Sequence, residues 1–158
     1  MKKGKLTKER RSASRLTALD RLEIAGLSDN DMLERATRLA ARWIGTPVAV
    51  ISLVEKGELH PVCSVGVPLQ QTSNVLLCKQ ALKHSGDILE IEDLQLDPRF
   101  RNLPCVTAEM GMRFYAGICL RDPNQVPVGV LCIADLRPRR LTADEKQALT
   151  DLSVMVQF

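Results

Sequence analysis

The sequence contains no stretch approaching the ~20 uninterrupted apolar residues that a membrane-spanning helix requires, so no membrane partner is expected for these residues. It opens on basic and polar residues with no apolar segment and small-residue cleavage site behind them, so no secretory signal is read and a cytoplasmic location is expected. The five cysteines, Cys63, Cys78, Cys105, Cys119 and Cys132, form no C-x-x-C and no zinc-like cluster, and their odd number without a leader points to reduced thiols. His60 and His84 are too differently placed to pair as base and positioned nucleophile. Ser/His/Asp arrangements, paired carboxylates in a recognisable string and phosphate-cradling glycine loops are missing, so no catalytic residues and no cofactor are expected. Aromatic residues are scarce, one Trp, one Tyr and three Phe, yet Phe100, Phe114 and Tyr115 fall within sixteen positions.

What remains is the composition of a globular domain, 45% hydrophobic and 26% charged over 158 residues. A chain of this length supports one ordinary domain that buries roughly 68–70% of its unfolded surface. The net charge of +3 is unevenly spread: residues 1–15 carry Lys2, Lys3, Lys5, Lys8, Arg10, Arg11 and Arg15 against Glu9 alone, and the remainder is net acidic. This divides the chain into a basic, flexible tail over 1–15 and a single domain over 16–158. Nucleic-acid binding by the folded part is not expected.

Leu16, Leu19 and Leu22 recur at helical spacing before Gly26. Ser28-Asp29-Asn30-Asp31 reads as an N-cap cluster for a helix whose stripe is Met32, Leu33, Ala36, Leu39, Ala40, Trp43 and Ile44, stopped at Gly45. Val48 to Val54 is a β-branched run expected to be a strand buried on both faces. After a turn at Lys56-Gly57-Glu58, Leu59 to Val67 is a strand in which Pro61 demands an edge or a bulge. Asn74 to His84 is a helix with Val75, Leu76, Cys78, Ala81 and Leu82 on one side, ended by Ser85-Gly86, and Ile88 to Ile91 is a third strand. Asp93 to about Met110 is a polar, proline-broken connection with room for a helical turn or two.

Met112 to Leu120 and Val126 to Ala134 are strands joined by Arg121–Gln125. The first points Phe114, Ala116, Ile118 and Leu120 one way and Tyr115, Gly117 and Cys119 the other, which places it inside the sheet with room beside its small residues. Thr142-Ala143-Asp144-Glu145 is a capping box opening a last helix whose stripe is Ala148, Leu149, Leu152, Met155 and Val156, and in which the chain stops. Strands that follow one another directly at two places make the sheet largely antiparallel, an α+β fold.

Asp97-Pro98-Arg99-Phe100, Arg113-Phe114-Tyr115-Ala116-Gly117, Gly129-Val130-Leu131-Cys132-Ile133-Ala134-Asp135 and Pro138-Arg139 occur in the order and spacing of a GAF domain. The chain resembles the bacterial signalling subgroup found ahead of histidine kinase or diguanylate cyclase outputs, over about residues 16–156. The resemblance implies a central antiparallel sheet of five to six strands, terminal helices on one face, and on the other a ligand pocket roofed by the irregular segment. It also implies a sensory or regulatory role, exercised by binding an unknown small molecule or a partner. The signal would pass through the terminal helices of a homodimer to a downstream output domain. Leu76-Leu77-Cys78 stands where that subgroup commonly has Ser-Phe-Cys, and His60 to Cys63 where an aromatic-plus-lysine pair is frequent. Both departures strip polar and aromatic groups from the pocket wall. They motivate an alternative, a ligand-free dimerisation or docking module.

The pocket residues expected from these strings are Cys78, Asp93, Asp97, Arg99, Phe100, Arg113, Tyr115, Gly117, Cys132 and Asp135. Phe100, Phe114 and Tyr115 would either stack on a flat ligand or pack the irregular segment onto the sheet. Arg99 and Arg113, each flanked by apolar residues, would either clamp that segment through Asp93, Asp97 or Asp135, or meet an anionic ligand bidentately. Cys78 has none of the neighbouring strings of bilin-binding relatives. It also lacks the glycine-rich context and partner cysteines of the methionine sulfoxide reductases that share the fold, which leaves a thiol enzyme the least supported alternative.

Overall fold

A computed structural model describes residues 27–69, 75–84, 88–109 and 111–156. The basic tail, the helix expected around Leu16 to Leu22 and the stop at Ser85-Gly86 lie outside these. Helix α1 (Leu27–Ile44) leads into strand β1 (Val48–Glu55) and strand β2 (Glu58–Val65). Helix α2 (Val75–Lys83), strand β3 (Ile88–Ile91), a 3₁₀ turn (Leu94–Leu96) and a one-turn helix α3 (Pro104–Thr107) follow. Strands β4 (Phe114–Arg121) and β5 (Pro127–Asp135) and helix α4 (Ala143–Met155) complete the described chain.

The sheet has the order β2-β1-β5-β4-β3, and every neighbouring pair is antiparallel. The two C-terminal strands therefore occupy its middle. The described residues form five strands, not six: β2 stays whole, and the stretch after Asp93 turns instead into 3₁₀ and helical turns. At the β1–β2 turn Lys56 and Gly57 both take positive φ, 50° and 81°, the two-residue geometry whose twist matches a hairpin. Pro61 sits on an edge strand and beside a bulge, because Ser52 pairs with Pro61 while Ile51 already pairs with Cys63, leaving Val62 extra.

Both faces of the sheet are covered, which is why β1 and β5 read as nearly continuous apolar runs. On one face Ile51, Phe114, Ala116, Leu120, Leu131 and Ile133 pack beneath α1 and α4. On the other, Val50, Tyr115, Val130 and Cys132 pack beneath α2 and the Leu94–Val106 segment. Each fully buried Leu or Ile contributes roughly 1.5–3 kcal/mol through removal of its surface from water.

The helix stripes need three corrections. Helix α1 already runs through Ser28–Asp31 instead of starting after them, and Asp31 pairs with Arg35 one turn on. A cap-forming residue favours the cap position but does not compel it. The buried ridge of α1 is Leu33, Ala36, Ala40, Ala41 and Ile44, while Leu39 and Trp43 turn outward at 44% and 70% exposure. In α2 Leu77 is buried and Leu76 is exposed, and in α4 Met155 is exposed beside the buried Leu152 and Val156. The common reason is that a helix on a sheet buries one ridge only, so apolar residues a single position off it stay in solvent.

The last helix begins as its sequence requires. Thr142 accepts from the Glu145 N–H, and the Glu145 carboxylate accepts from the Thr142 N–H.

Candidate functional site

The ten expected pocket residues separate into a buried layer and a charged rim. Cys78 on α2, Phe100 from the irregular segment, Tyr115 and Gly117 on β4 and Cys132 on β5 meet on the sheet face beneath α2. Asp93, Asp97, Arg99, Arg113 and Asp135 lie around the end of the sheet.

The room expected beside Gly117 is filled. Tyr115 is fully buried and folds back along its own strand, so that a Cβ on Gly117 would stand 2.6 Å from the Tyr115 hydroxyl and 2.9 Å from the Ala81 Cβ. Glycine is what admits the ring and α2 so closely. The hydroxyl donates to Cys78 Sγ at 3.5 Å, and Cys78 Sγ lies 3.9 Å from Cys132 Sγ. Burial and the neighbouring thiols push the Tyr115 phenol well above its ordinary pKa, so it stays a neutral donor.

The rim is made of ion pairs. Arg113 grips Asp93 with both prongs of its fork, Nε to Oδ1 at 2.9 Å and Nη2 to Oδ2 at 2.7 Å. That bond holds the Asp93 carboxyl below the usual carboxylate range. The backbone joins the same seam, because the Leu94 N–H donates to the Arg113 carbonyl and the Arg113 N–H to the Asp135 carbonyl at 2.9 Å. The Arg113–Asp93 pair is thus an internal clamp between the irregular segment and β4. Arg99 pairs with Asp97 two residues away and lays its guanidinium over Phe100, 4.8 Å from the ring centroid.

Arg139 was not among the expected site residues. Its Nη2 donates to the Ile44 carbonyl at 2.8 Å and to Glu145 Oε2 at 3.0 Å, and its Nη1 to the Gly45 carbonyl and Asp135 Oδ2, both at 3.2 Å. One guanidinium thereby ties the C-terminal end of α1, the end of β5 and the first turn of α4 together. Its place directly after Pro138 in a family string was the available signal. The partners that define its role come from 94 and 95 residues upstream and leave no mark in the sequence.

An open groove lies outside the sheet's end, between Asp93–Arg99 and Pro138–Arg140. Its lining carries the carboxylates of Glu90, Glu92, Asp93 and Asp97 and the guanidinium groups of Arg99, Arg139 and Arg140, and does not include Tyr115, Cys78 or Cys132.

No family model matches the chain. A cyclic di-GMP phosphodiesterase of Pseudomonas aeruginosa is 31% identical over 139 residues, 87% of this chain and 24% of that protein. The chain thus spans about a quarter of the length of the curated relative it matches. The GAF domain of a phosphoenolpyruvate-protein phosphotransferase from Coxiella burnetii superposes with a TM-score of 0.64 at 14% identity, covering 92% of this chain and 91% of that one. A type II free methionine-R-sulfoxide reductase from Thermoplasma acidophilum superposes with the same score at 17% identity, covering 81% and 89%. Five antiparallel strands, two helices on one face and a helix with an irregular roof on the other agree with these likenesses. The chain is a domain of the GAF fold.

Proposed function

We propose that this domain is a non-catalytic sensory or regulatory module that acts through its helical face as a homodimer and controls an output domain elsewhere in a longer protein. The observation that carries the reading is the Arg139 junction. It joins the ends of both described terminal helices to the central strand, so a change in the sheet reaches α1 and α4 together. Leu39 and Trp43 leave exposed apolar surface on α1, which suits a second copy. The match to about a quarter of a much longer phosphodiesterase fits a regulatory segment attached to a separate output.

The filled layer around Tyr115 gives specific support to a second reading, a module that works without a small molecule. A thermal-shift screen with nucleotides, cyclic nucleotides including cyclic di-GMP, amino acids and oxoacids separates the two. A ligand at 100 times its Kd stabilises by about 2.7 kcal/mol, so sensing requires a shift and its absence across the panel favours the ligand-free module.

The likeness to a sulfoxide reductase does not favour an enzyme here, because Cys78 is 1% exposed beneath α2, too enclosed for a substrate of amino-acid size. Reduction of free methionine sulfoxide with a dithiol reductant is the direct assay, and turnover lost in Cys78→Ser would overturn the non-catalytic reading.

A further inference from the structure

We propose that Cys78 and Cys132 form a peroxide-oxidisable dithiol that closes to a disulfide between α2 and the central strand β5. The two thiols are 54 residues apart in sequence, yet the fold brings their Sγ atoms to 3.9 Å. Closing to a bonded distance of about 2.05 Å asks for a shift of roughly 2 Å across one helix–sheet contact, far less than bringing together thiols from unrelated parts of the chain. Both are buried, so a hydroperoxide reaches them only when α2 opens locally, and the intermediate formed on one then meets the other before it meets a larger thiol.

The neighbourhood also favours the first chemical step. The Tyr115 hydroxyl donates to Cys78 Sγ, and Cys132 lies within hydrogen-bond reach of the same sulfur. These bonds, Cys132 first, draw the Cys78 pKa below its ordinary value against burial, which pushes it up. Cys63 contrasts with this: it lies on the opposite face of the sheet, with its pKa pushed up to about 11 by burial and then by the Glu34 charge.

The oxidant is a hydroperoxide. Cys78 as thiolate attacks one peroxide oxygen, the O–O bond breaks, and the departing oxygen leaves as water or alcohol after taking a proton. Cys132 then attacks the Cys78 sulfenic sulfur, the S–O bond breaks, and hydroxide leaves as water with the Cys132 proton. The pair gives up two electrons and two protons, and the peroxide accepts them. The bond would tether α2 to β5 and change the sulfur that accepts from the Tyr115 hydroxyl from a thiol to a disulfide, in the layer that fills the space at Gly117.

The test reads the bond itself and is independent of dimerisation or ligand binding. The reduced full chain is freed of reductant, exposed to hydrogen peroxide, blocked with N-ethylmaleimide under denaturing conditions and digested without reduction for mass spectrometry. The expected product is a linked Cys78–Cys132 peptide pair about 2 Da lighter than the sum of its reduced parts. Dithiothreitol should reverse it, and Cys63 should be maleimide-blocked. In Cys132→Ser the linked pair should vanish and Cys78 sulfenic acid should become trappable by dimedone. Cys105 is the natural competitor, half-buried and near enough to Cys78 to feel its charge. A Cys78–Cys105 linkage, or maleimide on both Cys78 and Cys132 of the peroxide-treated wild-type chain, would overturn the proposal even if the variant fails to fold.

Discussion

The hydroxyl of Tyr115 stands 2.6 Å from where a Cβ on Gly117, two residues along the same strand, would be. Side chains two apart point to one face, and here the first covers the second. Gly117→Ala is therefore expected to cost about 1–3 kcal/mol by overpacking, since Ala81 closes the other side at 2.9 Å. Chemical denaturation measures it. Tyr115→Phe should cost about 0.5–1.5 kcal/mol alone by removing one hydrogen bond, and should relieve part of the Gly117→Ala penalty in the double variant.

Tyr115→Ala should cost about 3–5 kcal/mol and leave an apolar cavity under α2. If the layer is as closed as the burial of Tyr115 implies, that variant alone should gain stabilisation from small apolar ligands in a thermal-shift assay. Equal stabilisation of the wild type would mean that space beside Gly117 already exists.

Much of this arrangement was legible in the sequence. The valine-rich run of β1, the Pro61 irregularity, the two C-terminal strands and the capping box at Thr142 each follow from local chemistry that tertiary contacts do not override. The buried ridges of α1, α2 and α4 are narrower than the apolar stripes in the sequence, which extend to Leu39, Trp43, Leu76 and Met155, because apolar identity does not say which ridge meets the sheet. The occupied space beside Gly117 is not legible either: small residues at Ala116 and Gly117 imply room, and only the path of the Tyr115 side chain decides what takes it. Arg139 escaped for a related reason, since two of its partners are backbone carbonyls, which no residue type announces.

Arg139→Ala leaves Asp135, 4% exposed, and the Glu145 carboxylate without their shared guanidinium. The expected loss is about 1.5–3 kcal/mol, with faster amide exchange at the α1 C-terminal end and the first turn of α4. Arg139→Lys should recover only part of it, because an ammonium cannot reproduce the fork that reaches both helices and β5. Thr142→Ala, which breaks only the cap, should cost about 1 kcal/mol and leave α1 exchange unchanged.

The acid limb of stability should depend on the Arg113–Asp93 clamp. Asp93 titrates lower in the folded state than in the unfolded one, first through the Arg113 hydrogen bond. Its contribution is therefore complete above the ordinary carboxylate pKa of about 4 and is lost as pH falls through the folded value. Asp93→Asn should lower the unfolding midpoint at pH 7 and flatten the decline below pH 4. An unchanged acid limb would mean that the clamp does not persist in solution.

The claim that the domain works through its helical face is tested most directly by light scattering on the eluting protein at micromolar concentration, wild type beside Trp43→Glu. The 70% exposed indole should lie in the interface of two copies, so the wild type is expected at twice the chain mass and the variant at the chain mass, both with native circular dichroism. A wild type that elutes as a strict monomer, or a Trp43→Glu variant that remains dimeric, would contradict it.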